Sequence, residues 1–266
     1  MTVPPRPLCV VPTYLRTSED LDVLVRCLVS LWGTAGAPDA LVVDDGSPAR
    51  DLVELLRAAT QELGFELIAK DANEGFARTV NVGMRRALEQ GRDVVLVNAD
   101  LEFTEAGWLE AMIGRGDTQG HPAAVVGARL LFPNGCIQHA GVFFSSADHK
   151  WWHRCAYAPA NLPEALVPTL CPVTGALQLI RHATLAQIGL YDEAFRMGYE
   201  DVDYCLRVFE AGLECIYEPA AVAVHHESFF RRREDETLSR WHGESAARLV
   251  IKWRTADLSP FTPELV

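Results

Sequence analysis

The chain has 266 residues, 49% of them hydrophobic and 23% charged, which is the composition of an ordinary soluble globular protein. Its formal net charge of −12 argues against a nucleic-acid partner, because binding to a phosphate backbone needs a basic surface. The seven cysteines form no Cys-x-x-Cys pair, so we expect reduced thiols in a cytoplasmic protein rather than a disulfide framework or a zinc site. We expect neither a signal peptide nor a membrane-spanning segment, although peripheral contact with the inner face of a membrane stays open.

Strand and helix patterns alternate up to residue 130. Short β-branched runs predict strands, and apolar residues at helical spacing predict helices. The predicted strands cover residues 8–12, 41–43, 66–69, 94–97 and 123–131, and the predicted helices cover 20–32, 48–63 and 76–89. This alternation predicts an α/β fold with a doubly wound, mostly parallel sheet flanked by helices.

The remainder of the chain is less regular. Further predicted helices cover residues 184–188, 201–211 and 237–253, and strand-like pieces cover 141–144 and 221–224. We expect residues 148–153 to form a loop over a pocket and the last dozen residues to form a frayed tail. Because no repeat or low-complexity linker separates the two parts, they are predicted to fold as one unit.

Acidic side chains follow two of the predicted strands, where each strand ends. Asp44 and Asp45 follow the second strand, and Asn98-Ala99-Asp100 follows the fourth. Ligands of parallel sheets bind at the carboxyl ends of the strands, so these side chains are expected at one edge. Clustered carboxylates repel each other unless a cation joins them, which predicts Mn²⁺ or Mg²⁺ carrying a phosphorylated ligand. For each residue alone, a turn at Asp45 or a helix cap at Asp100 is an equally good interpretation.

The sequence lacks the glycine-rich phosphate loops of two common enzyme classes. It has no Gly-x-Gly-x-x-Gly after its first strand and no Gly-x-x-x-x-Gly-Lys-Ser/Thr, which counts against dinucleotide-binding oxidoreductases and P-loop phosphotransferases. Asn73, Gly75 and Phe76 instead open the third predicted helix, where a glycine lets the backbone approach a ligand and the N-terminus favours an anion. Asn81, further along, suits a close contact with a ligand or with the sheet. A helix cap followed by a packing glycine explains this segment equally well.

A second acidic group lies at the start of a later helix. Glu200 and Asp201 occupy its first turn, where the helix dipole keeps a carboxylate ionised. An ionised carboxylate is what a general base needs to take a proton from an alcohol. A capping carboxylate is the alternative, but three acids in four residues, with Asp203, exceed what a cap requires. Upstream, Thr174 and Gly175 are small residues that leave room for a ring.

Imidazole and aromatic side chains supply further candidates. His225 and His226 end a predicted strand, and neutral imidazole is a good ligand for manganese-type ions beside carboxylate. A metal role is therefore favoured over a structural one for this pair. Trp151, Trp152 and His153 suit either a sugar-stacking, acceptor-side loop or simple packing, and both interpretations stay open.

Taken in order, these segments resemble a family 2 glycosyltransferase of the GT-A fold, more narrowly the bacterial rhamnosyltransferase-like branch of cell-surface polysaccharide synthesis. No single segment is decisive, and the ordered set carries the resemblance. The matching segments between residue 8 and about residue 230 read Val-Pro-Thr-Tyr, Val-Asp-Asp-Gly-Ser, Asn-Glu-Gly-Phe-Ala, Asn-Val-Gly, Val-Asn-Ala-Asp, Ile-Gln-His-Ala-Gly, Val-Thr-Gly-Ala, Glu-Asp-Val-Asp-Tyr-Cys-Leu-Arg and His-His-Glu-Ser.

The resemblance implies an inverting, metal-dependent transferase that moves a sugar from a nucleoside-diphosphate sugar, of UDP or dTDP type, to a hydroxyl of a saccharide or glycolipid. Asp201 is then the catalytic base beside Glu200, and Asp100 holds the metal with His225 or His226. Asn98-Ala99-Asp100 stands in the place of the Asp-x-Asp motif and departs from it at its first residue. The implied donor site is formed by Pro12, Thr13, Tyr14, Asp44, Asp45, Asn73, Gly75, Phe76, Asn81, Asn98, Ala99, Asp100, Thr174 and Gly175.

The same comparison divides the chain into two functional halves. Residues 1–130 are expected to bind the nucleotide sugar, and residues 131–266 to bind the acceptor and carry the catalytic base. Two other functions stay open: a nucleotidyltransferase, and a catalytically inactive module that binds a sugar nucleotide or glycan. Residues 13–16 make a poor phosphate loop for the first, and the Glu200-Asp201 pair speaks against the second, whereas Asn98 favours it. The donor sugar, the acceptor, the linkage and the oligomeric state are not fixed by the sequence.

Overall fold

Strands and helices alternate along the chain, and the computed structural model describes residues 5–36, 38–226 and 236–262. The strands are β1 (Leu8–Thr13), β2 (Asp39–Asp44), β3 (Glu66–Ala69), β4 (Val94–Val97), β5 (Leu101–Glu102), β6 (Val125–Leu131), β7 (Ile137–His139), β8 (Val142–Ser145), β9 (Lys150–His153), β10 (Thr169–Leu170), β11 (Leu177–Ile180) and β12 (Cys215–His225). The helices are α1 (Ser18–Thr34), α2 (Arg50–Leu63), α3 (Phe76–Glu89), α4 (Trp108–Gly114), α5 (His182–Ile188), α6 (Glu200–Glu210) and α7 (Glu236–Lys252). No helix within these ranges combines the length and the hydropathy that a bilayer crossing needs.

One large sheet forms the centre of the molecule, with the strand order β10-β12-β6-β11-β4-β1-β2-β3. Along this order β1, β2, β3, β4, β6 and β12 run in one direction, and β10 and β11 run in the other. β5 and β7 pair with the edges of β12 and β6, and β8 and β9 form a separate hairpin. The predicted mostly parallel sheet is therefore confirmed, with β11 inserted antiparallel between β4 and β6.

Helices cover both faces of this sheet. In β1, Cys9 and Val11 pack with α1, α2 and α4, whereas Leu8 and Val10 pack with α3, α5 and α6. A strand buried on both faces must be apolar at every position, which is why these strands read as continuous β-branched runs. The flanking helices predicted from the sequence are confirmed.

The predicted strands and helices are present close to their expected limits, and the structure adds elements that the sequence pattern does not reveal. The strand expected at residues 221–224 begins at Cys215, and β11 was missed because it is short and contains the polar Gln178. The strands β5, β7 and β10 and the helix α4 were missed as well. They are short, and a short element gives a weak periodic signal.

Two expectations for the second half are wrong. Residues 150–153 are not a loop but strand β9, which pairs with β8 so that Trp152 lies opposite Phe143. The tail is not frayed as far as it is described, because Ser259–Phe261 forms a 3-10 helix. The Phe261 ring lies 4.8 Å from that of Phe209, and this aromatic packing holds the segment. Glu227 and Ser228, which end the His-His-Glu-Ser segment, lie outside the described residues.

The central sheet contains strands from both sides of residue 130. β6 spans that position, and β11 and β12 of the second half lie beside β4 and β6 of the first. The assignment of a donor half and an acceptor half stays a prediction.

The contact of α3 with β1 depends on the absence of a side chain at Gly83. A Cβ at this position would lie 2.3 Å from Cγ2 of Val10. We expect Gly83→Ala to lower the free energy of unfolding by about 1–3 kcal/mol through overpacking. Gly33→Ala in α1 is the matched control, since its Cβ would meet no described atom within 4 Å. That control should be neutral or stabilising by up to about 1 kcal/mol, because alanine is the better helix former. Chemical denaturation measures both variants, and equal stability would contradict the close packing.

Candidate functional site

A cavity of about 430 Å³ opens where β1, β2 and β4 end. The first turns of α3 and α6, the strand β9 and one side of α7 complete its walls. Most of the predicted site residues come together here. Those that line the cavity are Pro12, Thr13, Tyr14, Asp45, Asn73, Gly75, Phe76, Asn98, Ala99, Asp100, Trp151, Trp152, His153, Thr174, Gly175, Glu200, Asp201 and His225.

Three predicted site residues lie outside the cavity lining. Asp44 is fully buried and accepts hydrogen bonds from the backbone and hydroxyl of Ser47, so it shapes the turn after β2. Burial raises the pKa of Asp44 despite these bonds. Asn81 exchanges two hydrogen bonds with the backbone of Tyr191, at 2.9 and 3.0 Å, and so ties α3 to the loop before α6. His226 faces Glu102, with 2.9 Å between Nε2 and Oε2.

The N-terminus of α3 binds a carboxylate of the protein itself. Asp45 accepts hydrogen bonds from the backbone N–H groups of Glu74 and Gly75, both at 2.9 Å, and from Nζ of Lys70 at 2.7 Å. Gly75 has φ +97°, and a Cβ there would lie 2.6 Å from the carbonyl oxygen of Arg196. The anion expected at this helix terminus is therefore Asp45. Lys70, directly after β3, was not predicted as a site residue. A single lysine after a predicted strand is the sequence signal that could have identified it.

Asp100 and His225 form a buried pair in the cavity wall. Nε2 of His225 lies 3.0 Å from Oδ1 of Asp100, and its Nδ1 lies 2.7 Å from Oε1 of Gln138. The amide nitrogen of Asn98 lies 3.5 Å from the same Nε2. Within the described ranges, no three His, Cys, Asp or Glu side chains converge as a metal-binding group. Among the described residues, the side chains at this point that could hold a cation are the carboxylate of Asp100, the imidazole of His225 and the amide oxygen of Asn98.

Several polar atoms in the cavity wall lack an internal partner. Thr13 Oγ1, Asn73 Oδ1 and Asn98 Oδ1 are buried and have no hydrogen-bond partner among the described residues. Buried polar groups in folded proteins are nearly always satisfied. Three such atoms around one cavity are available to a polar ligand or to water.

Asp201 is held in one orientation at the start of α6. Its Oδ2 accepts a hydrogen bond from the backbone N–H of Gly175, and its Oδ1 accepts one from that of Val202, both at 2.8 Å. Tyr199, directly before the helix, has φ +69°, a conformation that is strained for a residue with a Cβ and is concentrated at functional sites. Glu200 is buried beside Asp201 in the cavity wall. The acidic pair predicted from the sequence thus faces the cavity.

The hairpin of β8 and β9 forms the side of the cavity that carries Trp151, Trp152 and His153. His153 is joined to the buried His139 of β7, with 2.7 Å between the two Nδ1 atoms. The backbone N–H of Thr174 donates to Nε2 of His139 at 3.4 Å, so Nδ1 of His139 carries its proton and donates to His153. This chain of bonds orients the ring of His153.

The helix α7 supplies cavity residues that the sequence did not reveal. Leu238, Trp241 and His242 line the cavity, and the guanidinium of Arg196 lies 4.1 Å from the centre of the Trp241 ring. These side chains are distant in sequence from the other site segments. In addition, Trp241 fits the helical pattern of an ordinary core residue, so neither feature indicated a site. The other lining residues that were missed are Arg16, Thr79, Leu130, Gln138, Val142, Ala176, Met197, Gly198, Tyr199 and Val202.

Comparison with known proteins decides the family. The family described as Glycosyl transferase family 2 matches residues 8–141, which is half of the chain. The chain belongs to glycosyltransferase family 2. This membership confirms the resemblance predicted from the ordered motifs.

Relatives of this glycosyltransferase include a rhamnosyltransferase and an O-antigen biosynthesis protein. It is 25% identical over 258 residues to the N-acetylglucosaminyl-diphospho-decaprenol L-rhamnosyltransferase of Mycobacterium tuberculosis, covering 89% of this chain and 82% of that enzyme. It is 30% identical over 150 residues to the O-antigen biosynthesis protein RfbC of Myxococcus xanthus, covering 54% of this chain and 12% of that protein. It is 28% identical over 259 residues to the Sinorhizobium fredii protein y4gI, covering 94% of this chain. The chain spans only 28% of the length of y4gI.

Solved structures with the same fold are glycosyltransferases. The structure of GalNAc-T7 with UDP, GalNAc and Mn²⁺ has a TM-score of 0.66 at 15% identity, covering 83% of this chain and 43% of that one. The mannosyltransferase PcManGT from Pyrobaculum calidifontis, in complex with GDP-Man and Mn²⁺, has a TM-score of 0.57 at 16% identity, covering 97% and 78%. These likenesses confirm the predicted GT-A fold.

The buried His139 makes the stability of the fold dependent on pH. Burial, reinforced by the neighbouring His153, His225 and Arg154, lowers the pKa of His139 well below its usual value. In the unfolded chain this histidine takes up a proton as the pH falls below about 6.5, whereas in the folded chain it stays neutral. Its contribution is therefore complete above that pH, and stability falls as the pH drops towards 5.

Thermal melting between pH 7.5 and pH 5 measures this effect. We expect His139→Gln to melt at a lower temperature than the wild type at pH 7.5 and to lose less stability on acidification. Gln178→Met is the control, because it removes a buried side chain that does not titrate and should lower the melting temperature without changing the pH slope. A wild-type slope retained in His139→Gln would contradict the assignment.

Proposed function

We propose that this family 2 glycosyltransferase is an inverting enzyme that takes a sugar from a nucleoside-diphosphate sugar and joins it to an acceptor hydroxyl. The observation that carries the proposal is the segment 174–176, which ties two chemical centres together. The N–H of Gly175 donates to Asp201, and the carbonyl of Ala176 accepts from the N–H of Asn98, both at 2.8 Å. A carboxylate suited to proton transfer is thereby fixed relative to the strand end that carries Asp100.

The donor nucleotide is placed over the ends of β1 and β2. Thr13 Oγ1 and Asn73 Oδ1, which have no partner among the described residues, suit the hydroxyls and polar edges of a nucleoside. Oδ2 of Asp45 accepts one hydrogen bond from Gly75 and retains a lone pair for the ring N–H of a base. Uracil and thymine carry that N–H, as guanine does, and cytosine does not, so this contact is compatible with the proposed UDP or dTDP donor and argues against a cytidine one. Tyr14 lies in the same wall and can stack on the base.

The residues around Asp100 fit a divalent cation, Mn²⁺ or Mg²⁺. Asp100 supplies a carboxylate, His225 an imidazole nitrogen, and Asn98 a buried oxygen that lacks a partner among the described residues. Oδ1 of Asp100 and Nε2 of His225 lie 3.0 Å apart and would hold the cation together. When bound, the cation neutralises the charge that builds on the departing nucleoside diphosphate. His226, which faces Glu102, is not needed for this set.

Asp201 acts as the general base in the proposed reaction. Its carboxylate takes the proton of the acceptor hydroxyl while that oxygen attacks the anomeric carbon, and the bond from this carbon to the diphosphate oxygen breaks. The hydrogen bonds from Gly175 and Val202 hold the carboxylate in place during the transfer. One displacement inverts the anomeric carbon, and no covalent intermediate on the enzyme is required.

The acceptor is proposed to lie against Trp151, Trp152 and His153, on the other side of Asp201 from the donor. Aromatic rings with polar edges suit a sugar, so the acceptor class is a saccharide or glycolipid. The names of the M. tuberculosis and M. xanthus relatives support a role in surface-polysaccharide or glycoconjugate synthesis. All seven cysteines are free thiols, which supports a reaction on the cytoplasmic side.

The role of Asp201 is tested by Asp201→Asn. This change keeps the shape of the side chain and an acceptor for the Gly175 N–H, but removes the base. We expect turnover to fall by about 10²–10⁴-fold, the usual contribution of general-base catalysis, with nucleotide affinity unchanged. Release of UDP or dTDP from the corresponding sugar nucleotide measures turnover, and calorimetry measures binding.

Asp51→Asn is the control, since Asp51 is an exposed acid in the first turn of α2. It should leave turnover and binding unchanged. If wild-type protein binds the nucleotide but transfers no sugar in an acceptor screen, a binding module becomes the better description. A wild-type turnover in Asp201→Asn would remove the proposed base.

Asn98 stands at the first position of the Asp-x-Asp motif, which predicts that placing a carboxylate there raises the affinity for the metal. Asn98→Asp adds a negative charge beside Asp100 and His225, so Mn²⁺ should bind about tenfold more tightly in the presence of UDP or dTDP. Gln61→Glu adds the same charge on the exposed side of α2 and is the control. Calorimetric titration with and without Mn²⁺ measures both variants. Equal Mn²⁺ affinity in Asn98→Asp and wild type would contradict the assignment of this site.

A further inference from the structure

The strand β7 carries part of the Ile-Gln-His-Ala-Gly segment, to which the proposed reaction assigns no role. Ile137 and Gln138 are buried, yet Gln138 is polar and lines the cavity. A buried amide costs free energy unless its groups are hydrogen-bonded. The hydrogen-bond partners of the Gln138 side chain therefore indicate its role in the cavity wall.

Both polar atoms of the Gln138 side chain contact His225. Oε1 lies 2.7 Å from the ring Nδ1, and Nε2 lies 3.5 Å from the backbone carbonyl oxygen of the same residue. The backbone carbonyl can only accept, so the amide nitrogen must face it and the amide oxygen must face the ring. An amide oxygen also only accepts, so Nδ1 of His225 carries a proton.

The proton on Nδ1 of His225 determines whether Nε2 of the same ring can act as a ligand. In the neutral ring Nε2 then carries a lone pair, and this lone pair points at Oδ1 of Asp100 from 3.0 Å. Two electron-rich atoms at this distance repel each other unless a cation lies between them, which is a metal ion bound by both or a proton on Nε2 that makes the ring an imidazolium. The bond from Gln138 therefore presents His225 to the cavity as a ligand.

We infer that Gln138 is a positioning residue that sets the tautomer and the orientation of His225 and thereby makes the Asp100–His225 pair a cation site. The inference rests on the proposed function for the presence of the cation. Histidine ligands of metals usually donate their second N–H to an oxygen acceptor, and loss of that acceptor weakens metal binding by about 10–100-fold. Gln138 supplies that acceptor here.

Two variants at Gln138 separate this role from simple packing. Gln138→Met keeps the volume of the side chain and removes the acceptor, so we expect Mn²⁺ binding in the presence of UDP to weaken by about 10–100-fold. Gln138→Glu keeps an acceptor for the Nδ1 proton and should restore affinity to within a few-fold of wild type. Titration of Mn²⁺ followed by electron paramagnetic resonance measures both without any catalytic turnover.

Gln178→Met is the matched control for loss of a buried amide. Gln178 is fully buried in β11, accepts a hydrogen bond from the hydroxyl of Tyr191 and donates one to the carbonyl of Val173. Its replacement should lower the melting temperature and leave Mn²⁺ affinity unchanged. Melting curves of all variants show whether each is folded.

Nitrogen NMR of the His225 ring provides the second readout. The protein without metal should show the proton on Nδ1 in wild type and in Gln138→Glu, and a loss of that preference in Gln138→Met. Equal Mn²⁺ affinity in Gln138→Met and wild type, or an equally weakened Gln138→Glu, would overturn the role of Gln138. A wild-type protein that binds UDP but no Mn²⁺ would instead overturn the metal part of the proposed function, and this inference with it.

Discussion

Two hydrogen bonds made by one short segment set the spacing on which the site depends. The N–H of Gly175 binds the carboxylate of Asp201, and the carbonyl of Ala176 accepts from Asn98. The segment leads directly into β11, whose pairing with β4 begins at Leu177 opposite Val97. A Cβ at Gly175 would lie 2.9 Å from the hydroxyl of Tyr191 and 3.2 Å from the Cβ of Asp201, so only glycine permits this approach. The start of α6 is thereby fixed against the end of β4.

The antiparallel insertion of β11 follows from the same constraint. A parallel strand in this place would begin at the opposite edge of the sheet and could not bring Gly175 to the cavity. Because β11 runs the other way, its preceding residues lie where β4 ends, and they reach Asn98 and Asp201 together. The mixed sheet is therefore a condition for joining the proposed base, Asp201, to the acidic end of β4.

The parts of the site that the sequence predicted are those whose position depends on the backbone alone. Asp45, Asp100 and His225 follow or end strands of the central sheet, and parallel strands bring such positions to one edge whatever the side chains do. Asp44 and Asn81 occupy equally suggestive positions but turn to Ser47 and to the backbone of Tyr191. The orientation of these two side chains is set by tertiary contacts, and the periodicity of the sequence carries no information about such contacts.

The side of the cavity formed by α7 was not predicted from the sequence, because it too depends on tertiary contacts. Trp241 and His242 line the cavity, and the far end of α7 contacts α6, where Leu249 packs with Val202 and Leu206. A residue of the acidic motif holds that contact. Asp203, fully buried, accepts hydrogen bonds from Nε1 of Trp253 at 2.9 Å and from Nζ of Lys252 at 2.8 Å. Three acids in four residues exceed what a helix cap requires because the structure divides them between two tasks.

As a result, the helix α6 carries both the proposed base and a residue that anchors the cavity wall. The first turn of α6 turns Asp201 towards the cavity and, two residues later, anchors α7 through Asp203. Asp203 also pairs with Arg207 of its own helix, so a shift of α7 would remove one of its two cationic partners and the hydrogen bond from Trp253, which destabilises a buried carboxylate. A shift of α7 would therefore act on the helix that holds the proposed base. The cavity wall formed by α7 and the proposed base are consequently positioned together.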